Sequence, residues 1–191
     1  MFPVLAESLE ALHHVGAAVP TDRLDDSTPC SEWTVAQVLL HAVGDQHAWA
    51  FAVGSSPLPS YDPFSPPKRL AGTFDELMEP AIAAATTAWA RVDATADSVP
   101  TPLPPVPTLP AELAAAACAL DAAVHAWDVA VATGQESPLR QELVAQLTPA
   151  ARVVAEPLRG FAYAPALPEQ PGDDAAAALL RYLGRDPSWT A

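Results

Sequence analysis

Residues 118–135 read CALDAAVHAWDVAVATGQ, and the fold turns on how that stretch is parsed. Leu113, Ala117, Leu120, Val124, Trp127 and Val131 recur at steps of three and four, the period of an amphipathic helix. Pro110 stands at a first helical turn, where its missing N–H is no loss, and Gly134 stands where the chain leaves the helix. Asp121 lies beside the apolar stripe. His125 follows one turn later on the same face, and Asp128 three residues further. A carboxylate and an imidazole leaning into an alanine-rich interior are costly unless they are paired or bind a cation.

Working outward, three more helices precede this one. Val4, Leu5, Leu9, Leu12 and Val15 repeat at helical spacing over residues 3–18. Thr34 and Gln37 form a capping box that opens a second helix running to about Phe51, with Trp33 and Val38 at the spacing of a hydrophobic staple. Thr73 and Glu76 form another box, opening a third helix that reaches about Asp93. The 22 prolines crowd into residues 57–67, 100–110 and 165–171 and mark stiff loops between helices. The long loop at 54–71 reads equally as a functional edge or as a plain surface crossover.

These patterns predict an all-α protein: a single domain over residues 1–191 whose core is a four-helix bundle at about 3–134. Short additional C-terminal helices follow at about 137–185. Ser137-Pro138 and Thr148-Pro149 each resemble a cap followed by a first-turn proline, and a last amphipathic helix runs from Asp173 to Leu183, stopped by Gly184. No strand pattern or internal repeat is visible.

The formal net charge of -14 repels phosphate backbones and anionic membrane surfaces, so neither nucleic acid nor membrane is an expected partner. Cys30 and Cys118 are too few for a disulfide scaffold and form no C-x-x-C pair, which reads as reduced thiols in a cytoplasm. The opening MFPVLAESLEALHHV has no basic leader or cleavage site, and no stretch approaches about 20 uninterrupted apolar residues. A soluble, cytoplasmic protein is expected.

The second helix offers a partner for Asp121 and His125. His41 shares a face with Val38 and Asp45, whereas His47 falls about 240° away and is expected to be solvated. His13 and His14 are adjacent, so at most one approaches the core. His41, Asp121 and His125 on one divalent ion would leave coordination positions open, the mark of a catalytic site, and zinc, nickel and ferrous iron all suit such donors. Spacing alone leaves a second reading open, in which His41 and His125 are buried hydrogen-bonded partners of Asp45 and Asp121.

TPCSEWTVAQVLLHAVGD at 28–45, VHAWDVAVATGQ at 124–135 and LRYLGRDPSW at 180–189 resemble, in order, three motifs of the DinB-like, mycothiol-dependent maleylpyruvate isomerase N-terminal family, the last common in its actinobacterial members. The resemblance implies a four-helix bundle with a divalent metal, often zinc. The ligands it implies are a histidine on helix two and an acidic residue and a histidine four apart on helix four, which map onto His41, Asp121 and His125. It also implies a low-molecular-weight thiol cosubstrate in several members, held by the metal as a thiolate. Aspartate at 121 departs from the glutamate usual in the isomerase. The isomerase carries a second, C-terminal domain for which this chain has no room, which argues against maleylpyruvate itself as substrate. Asp128 reads as a residue that supports a ligand or caps structure, and Cys30 as a packed turn residue.

Three functions compete at this point. The first is a metal-dependent thiol transferase or isomerase acting on a small electrophile. The second is an enzyme of specialised metabolism, such as a cyclase, using the same pocket without a thiol. The third is a non-catalytic metal-binding protein. The expected partner is a small molecule, and the expected state a monomer or homodimer.

Overall fold

Alanine decides the packing. The helix centred on the opening motif forms as α4 (Ala111–Thr133), and nearly every side chain on it is buried, the alanines at 114, 115, 119, 122, 123, 126, 130 and 132 completely. Methyl groups let neighbouring helices approach α4 from several directions at little side-chain entropy cost. The expected single stripe is therefore only part of its contact surface; Leu113 and Val131, at the ends of that stripe, are only half-buried. A helix that is apolar all round belongs inside a protein or a membrane. Here it is the one helix among the described residues long and apolar enough to cross a bilayer, and 89% of that window is buried within the fold.

The computed structural model describes residues 2–54 and 57–191; Ser55 and Ser56, part of the loop expected at 54–71, lie outside the described residues, as does Met1. The other helices are α1 (Pro3–Ala17), α2 (Val35–Ala52), α3 (Phe74–Trp89), α5 (Gln141–Val154) and α6 (Ala175–Tyr182). α1 and α2 flank α4, α3 packs on α2, α5 covers another side of α4, and α6 packs on α5. The architecture is an all-α bundle with added C-terminal helices.

Both capping boxes form. Thr34 and Gln37 exchange bonds at the start of α2, as Thr73 and Glu76 do at the start of α3. Trp33, expected to clasp Val38, lies with its indole 4.6 Å from the His41 ring. At the far end of α4, Gly134 takes the left-handed conformation that releases the chain.

Three expectations fail at element boundaries. α3 stops at Trp89 rather than Asp93, because the Asp93 carboxylate accepts from the backbone and hydroxyl of Thr95 and starts a turn of its own. A two-residue antiparallel ladder, β1 (Val99–Pro100) with β2 (Thr108–Leu109), forms where no strand was expected, as the proline-rich segment folds back and Thr101 bonds Pro107 across it. Ser137-Pro138 and Thr148-Pro149 start no helices. α5 begins at Gln141 and runs through Pro149, and the Thr148 hydroxyl donates to the Val144 carbonyl instead of capping. Burial of Leu143, Leu147, Ala150, Ala151 and Val154 on one face outweighs the proline.

Pro149 is exposed and interior to α5, where its ring removes the bond to the Ala145 carbonyl. Pro149→Ala is expected to stabilise the fold by about 1–3 kcal/mol, less a few tenths for the freer unfolded chain. Urea unfolding measures this; an unchanged or lower midpoint would show that α5 gains nothing from the restored bond.

Candidate metal centre and its cavity

His41 on α2 and Asp121 and His125 on α4 meet at one point. His41 Nε2 lies 3.2 Å from Asp121 Oδ1, and His125 Nε2 lies 3.4 Å from the same oxygen. The two imidazoles sit edge to face with centroids 4.7 Å apart. One ligand atom from each of the three residues lies within 4.8 Å of the other two. His41 and His125 are buried, and the Asp121 side chain is 19% exposed. Asp45 is not the partner of His41.

The tautomers follow from the other ring nitrogens. His41 Nδ1 is 2.8 Å from the Pro63 carbonyl, which only accepts, so Nδ1 carries the proton. His125 Nδ1 donates to Asp128 Oδ2 at 2.9 Å. A neutral ring held this way turns a bare Nε2 lone pair toward an oxygen that is itself an acceptor. Three acceptors facing one another repel unless a cation sits among them, either a proton or a metal ion. Asp121 Oδ2 is also buried without a partner. Two donors each about 2.1 Å from a tetrahedral zinc are about 3.4 Å apart, which matches the observed spacings. The residues fit a divalent metal.

Without the metal a proton plays its part. Burial would lower the basicity of His125, but the Asp121 and Asp128 carboxylates outweigh it and raise its pKa to about 9. Burial likewise opposes ionisation of Asp121, yet the two imidazoles hold its carboxyl well below the usual carboxylate range.

Behind His125, Asp128 is fully buried and accepts Arg185 bidentately, Nε to Oδ1 at 2.9 Å and Nη2 to Oδ2 at 2.9 Å. Arg185 gets there through a turn. Gly184 is left-handed at φ 81°, Arg185 N–H bonds the Leu180 carbonyl and Gly184 N–H bonds that of Arg181, a Schellman motif closing α6. A Cβ on Gly184 would also stand 2.8 Å from Ala164 Cβ and 2.9 Å from two backbone oxygens. The turn aims the guanidinium at Asp128. Sequence reasoning missed Arg185 as a site residue, although it lies in the third quoted motif; the signal was the need of a buried Asp128 for a cation in a chain with nine basic residues.

The three residues form the floor of a cavity of about 470 Å³. Trp33, Trp49, Phe64, Leu120, Phe161 and Tyr163 are among its walls. Phe64 comes from the loop after α2. That loop lies along α2: Tyr61 donates to the Leu40 carbonyl, Gln37 donates to that of Pro66, and Gly44 lets Tyr61 and Pro63 approach the helix. Among its described residues the loop is thus a wall of the site. Cys30 also lines the cavity; burial, then Asp128, pushes its thiol up to about 12, so it stays protonated at neutral pH. Burial and the neighbouring Asp121 raise the Asp45 carboxyl well above its usual range and favour its neutral form. His47, expected to be solvated, is half-buried with a partnerless Nδ1, and burial lowers its pKa; α2 is covered on more sides than a bundle helix usually is.

A helical bundle with a buried His–Asp–His group at the floor of a cavity defines the class. The chain belongs to the family described as mycothiol maleylpyruvate isomerase N-terminal domain, whose model matches residues 5–130. It is also similar to two curated proteins of Mycobacterium tuberculosis, uncharacterized protein MT0763 of strain CDC 1551 / Oshkosh and uncharacterized protein Rv0738 of strain H37Rv. Each is 32% identical, over 94% of this chain and 97% of the relative. No solved structure matches the chain significantly.

Burial opposes ionisation of Asp128, but Arg185 and His125 hold its carboxyl below the usual range. Arg185→Met removes the main counter-charge and is expected to cost about 3–5 kcal/mol at pH 7, read by urea unfolding. A depressed carboxyl stabilises above the unfolded value of about 3.9 and loses that contribution as the pH falls below it. The gap between wild type and variant should therefore narrow in acid; a gap constant with pH would remove Asp128 as its source.

Proposed function

We propose that the protein is a metal-dependent enzyme in which His41, Asp121 and His125 hold one divalent ion, and that it uses a low-molecular-weight thiol of the mycothiol type to transfer to, or isomerise, a small electrophile. One observation carries this reading: one ligand atom from each of three buried or part-buried side chains converges on the floor of a cavity large enough for a small molecule. Zinc, nickel and ferrous iron all suit two imidazoles and one carboxylate, and zinc is the ion the family resemblance favours. When bound, such an ion lowers the pKa of a coordinated thiol, giving a thiolate at neutral pH.

The protein's own residues prepare that chemistry. Pro63 and Asp128 fix the two ring tautomers, so both Nε2 atoms are presented without reorganisation. Trp33 and Phe64 lie against the His41 ring and limit water on that side. Cys30 is held as a thiol, which leaves the nucleophile to be brought by the cosubstrate. The net charge argues for a small-molecule partner over nucleic acid or membrane, and the free Cys30 and Cys118 fit a reducing cytoplasm.

Elemental analysis after equilibration with zinc and dialysis tests the centre. Wild type should retain about one ion per chain, His125→Ala should lose most of it, and Asp128→Asn should bind about 10–100-fold more weakly. Equal metal content in wild type and His125→Ala would exclude His125 as a ligand. A zinc-loaded protein that binds small thiols no better than the metal-free protein would remove the thiol from the reading and leave a thiol-free enzyme or a binding protein.

A further inference from the structure

Part of the cavity wall comes from outside the segment that matches the family. Val154 lines the cavity from the end of α5, Leu158 and Phe161 to Ala164 from the segment between α5 and α6, and Arg185 from beyond α6. The family match ends at residue 130. This part of the wall is therefore set by residues outside the family segment.

Its chemistry is apolar and aromatic. Phe161 is 63% exposed and Phe64 38% exposed, yet their rings pack at 4.8 Å, one from each side of the cavity. Phe64 in turn stands 5.7 Å from His41, and His41 stands 4.6 Å from Trp33. Rings left in water at a cavity mouth gain by being covered with another apolar surface. The charges point the same way. Among the described cavity-lining residues Arg185 is the one Lys or Arg, and its charge is matched by Asp128. The acidic side chains on the lining are Glu32, Asp45 and Asp121. One anionic head can be met at the His–Asp–His centre if it holds a cation. A second anionic group would be buried against rings and carboxylates with no counter-charge, which is costly.

Resting on the reading of this cavity as the substrate site, we infer that it takes a small, ring-bearing, largely apolar molecule with at most one negative charge, and that it discriminates against dianions. The selecting surface is the aromatic rim of Trp33, Phe64 and Phe161 together with the uncharged wall of Val154, Leu158 and Tyr163.

Trp33 and Trp49 line the cavity, so ligand binding is expected to quench tryptophan fluorescence. The test uses zinc-loaded protein and two probe pairs, each sharing a head group and differing by one carboxylate: phenylmethanethiol against 4-(mercaptomethyl)benzoate, and monomethyl terephthalate against terephthalate. The less charged member of each pair that binds should be at least about tenfold tighter, the discrimination a single unpaired buried charge readily supplies. If the terephthalate pair shows this order while both thiols are silent, the inference holds and the thiol reading falls. Parity or a preference for the more charged member in either pair would overturn the inference, as would a failure of all four probes to bind.

Discussion

A carboxylate with no exposure to solvent, on the most deeply buried helix of the bundle, constrains everything around it. Asp128 could not remain ionised at that depth without donors, and it has two sets: the Arg185 guanidinium and the His125 ring. The first ties the C-terminal segment to α4 across 57 residues of sequence. The second fixes which nitrogen of His125 is bare. One buried charge thus joins the placement of the tail to the tautomer of a candidate ligand, and neither can change without leaving Asp128 short of a partner.

The helices were legible in the chain because their signals are local. Two capping boxes, a run of alanines and a glycine after Thr133 specify α2, α3 and α4 through contacts a few residues long. Thr148-Pro149 misled because the same two residues that cap a helix elsewhere are tolerated inside one when the opposite face is well buried. His41, Asp121 and His125 were found because buried polar side chains on apolar helix faces are conspicuous against alanine. Their convergence was not legible from spacing, which allowed Asp45 as the partner of His41 just as well. The Pro63 carbonyl was beyond reach and Arg185 hard to place, for a related reason. Each meets the site through a turn or loop whose path depends on tertiary contacts, and a backbone carbonyl leaves no trace in residue identity.

The site divides along the same line. Its polar floor lies in the part of the chain that matches the family, on two helices whose packing is set by small side chains. Its apolar wall is shared: Trp33, Trp49, Phe64 and Leu120 lie within the match, and the rest lies beyond it, mostly on a short irregular segment anchored by Arg159 to Glu156 and to the Tyr182 carbonyl. A rigid floor with a partly separate wall allows the ligand chemistry to stay constant while the shape of the guest changes.

The bond from His41 to the Pro63 carbonyl has a thermodynamic corollary. If the seated loop helps to hold the imidazole ready for a cation, then a cation on that imidazole must help to hold the loop in its seat, by the same free energy. Local opening of residues 57–71, as amide exchange would register it, and ion affinity are two views of one linked equilibrium. Pro63, Pro66 and Pro67 restrict the loop's alternatives before any ion arrives, which lowers the entropy that seating must overcome.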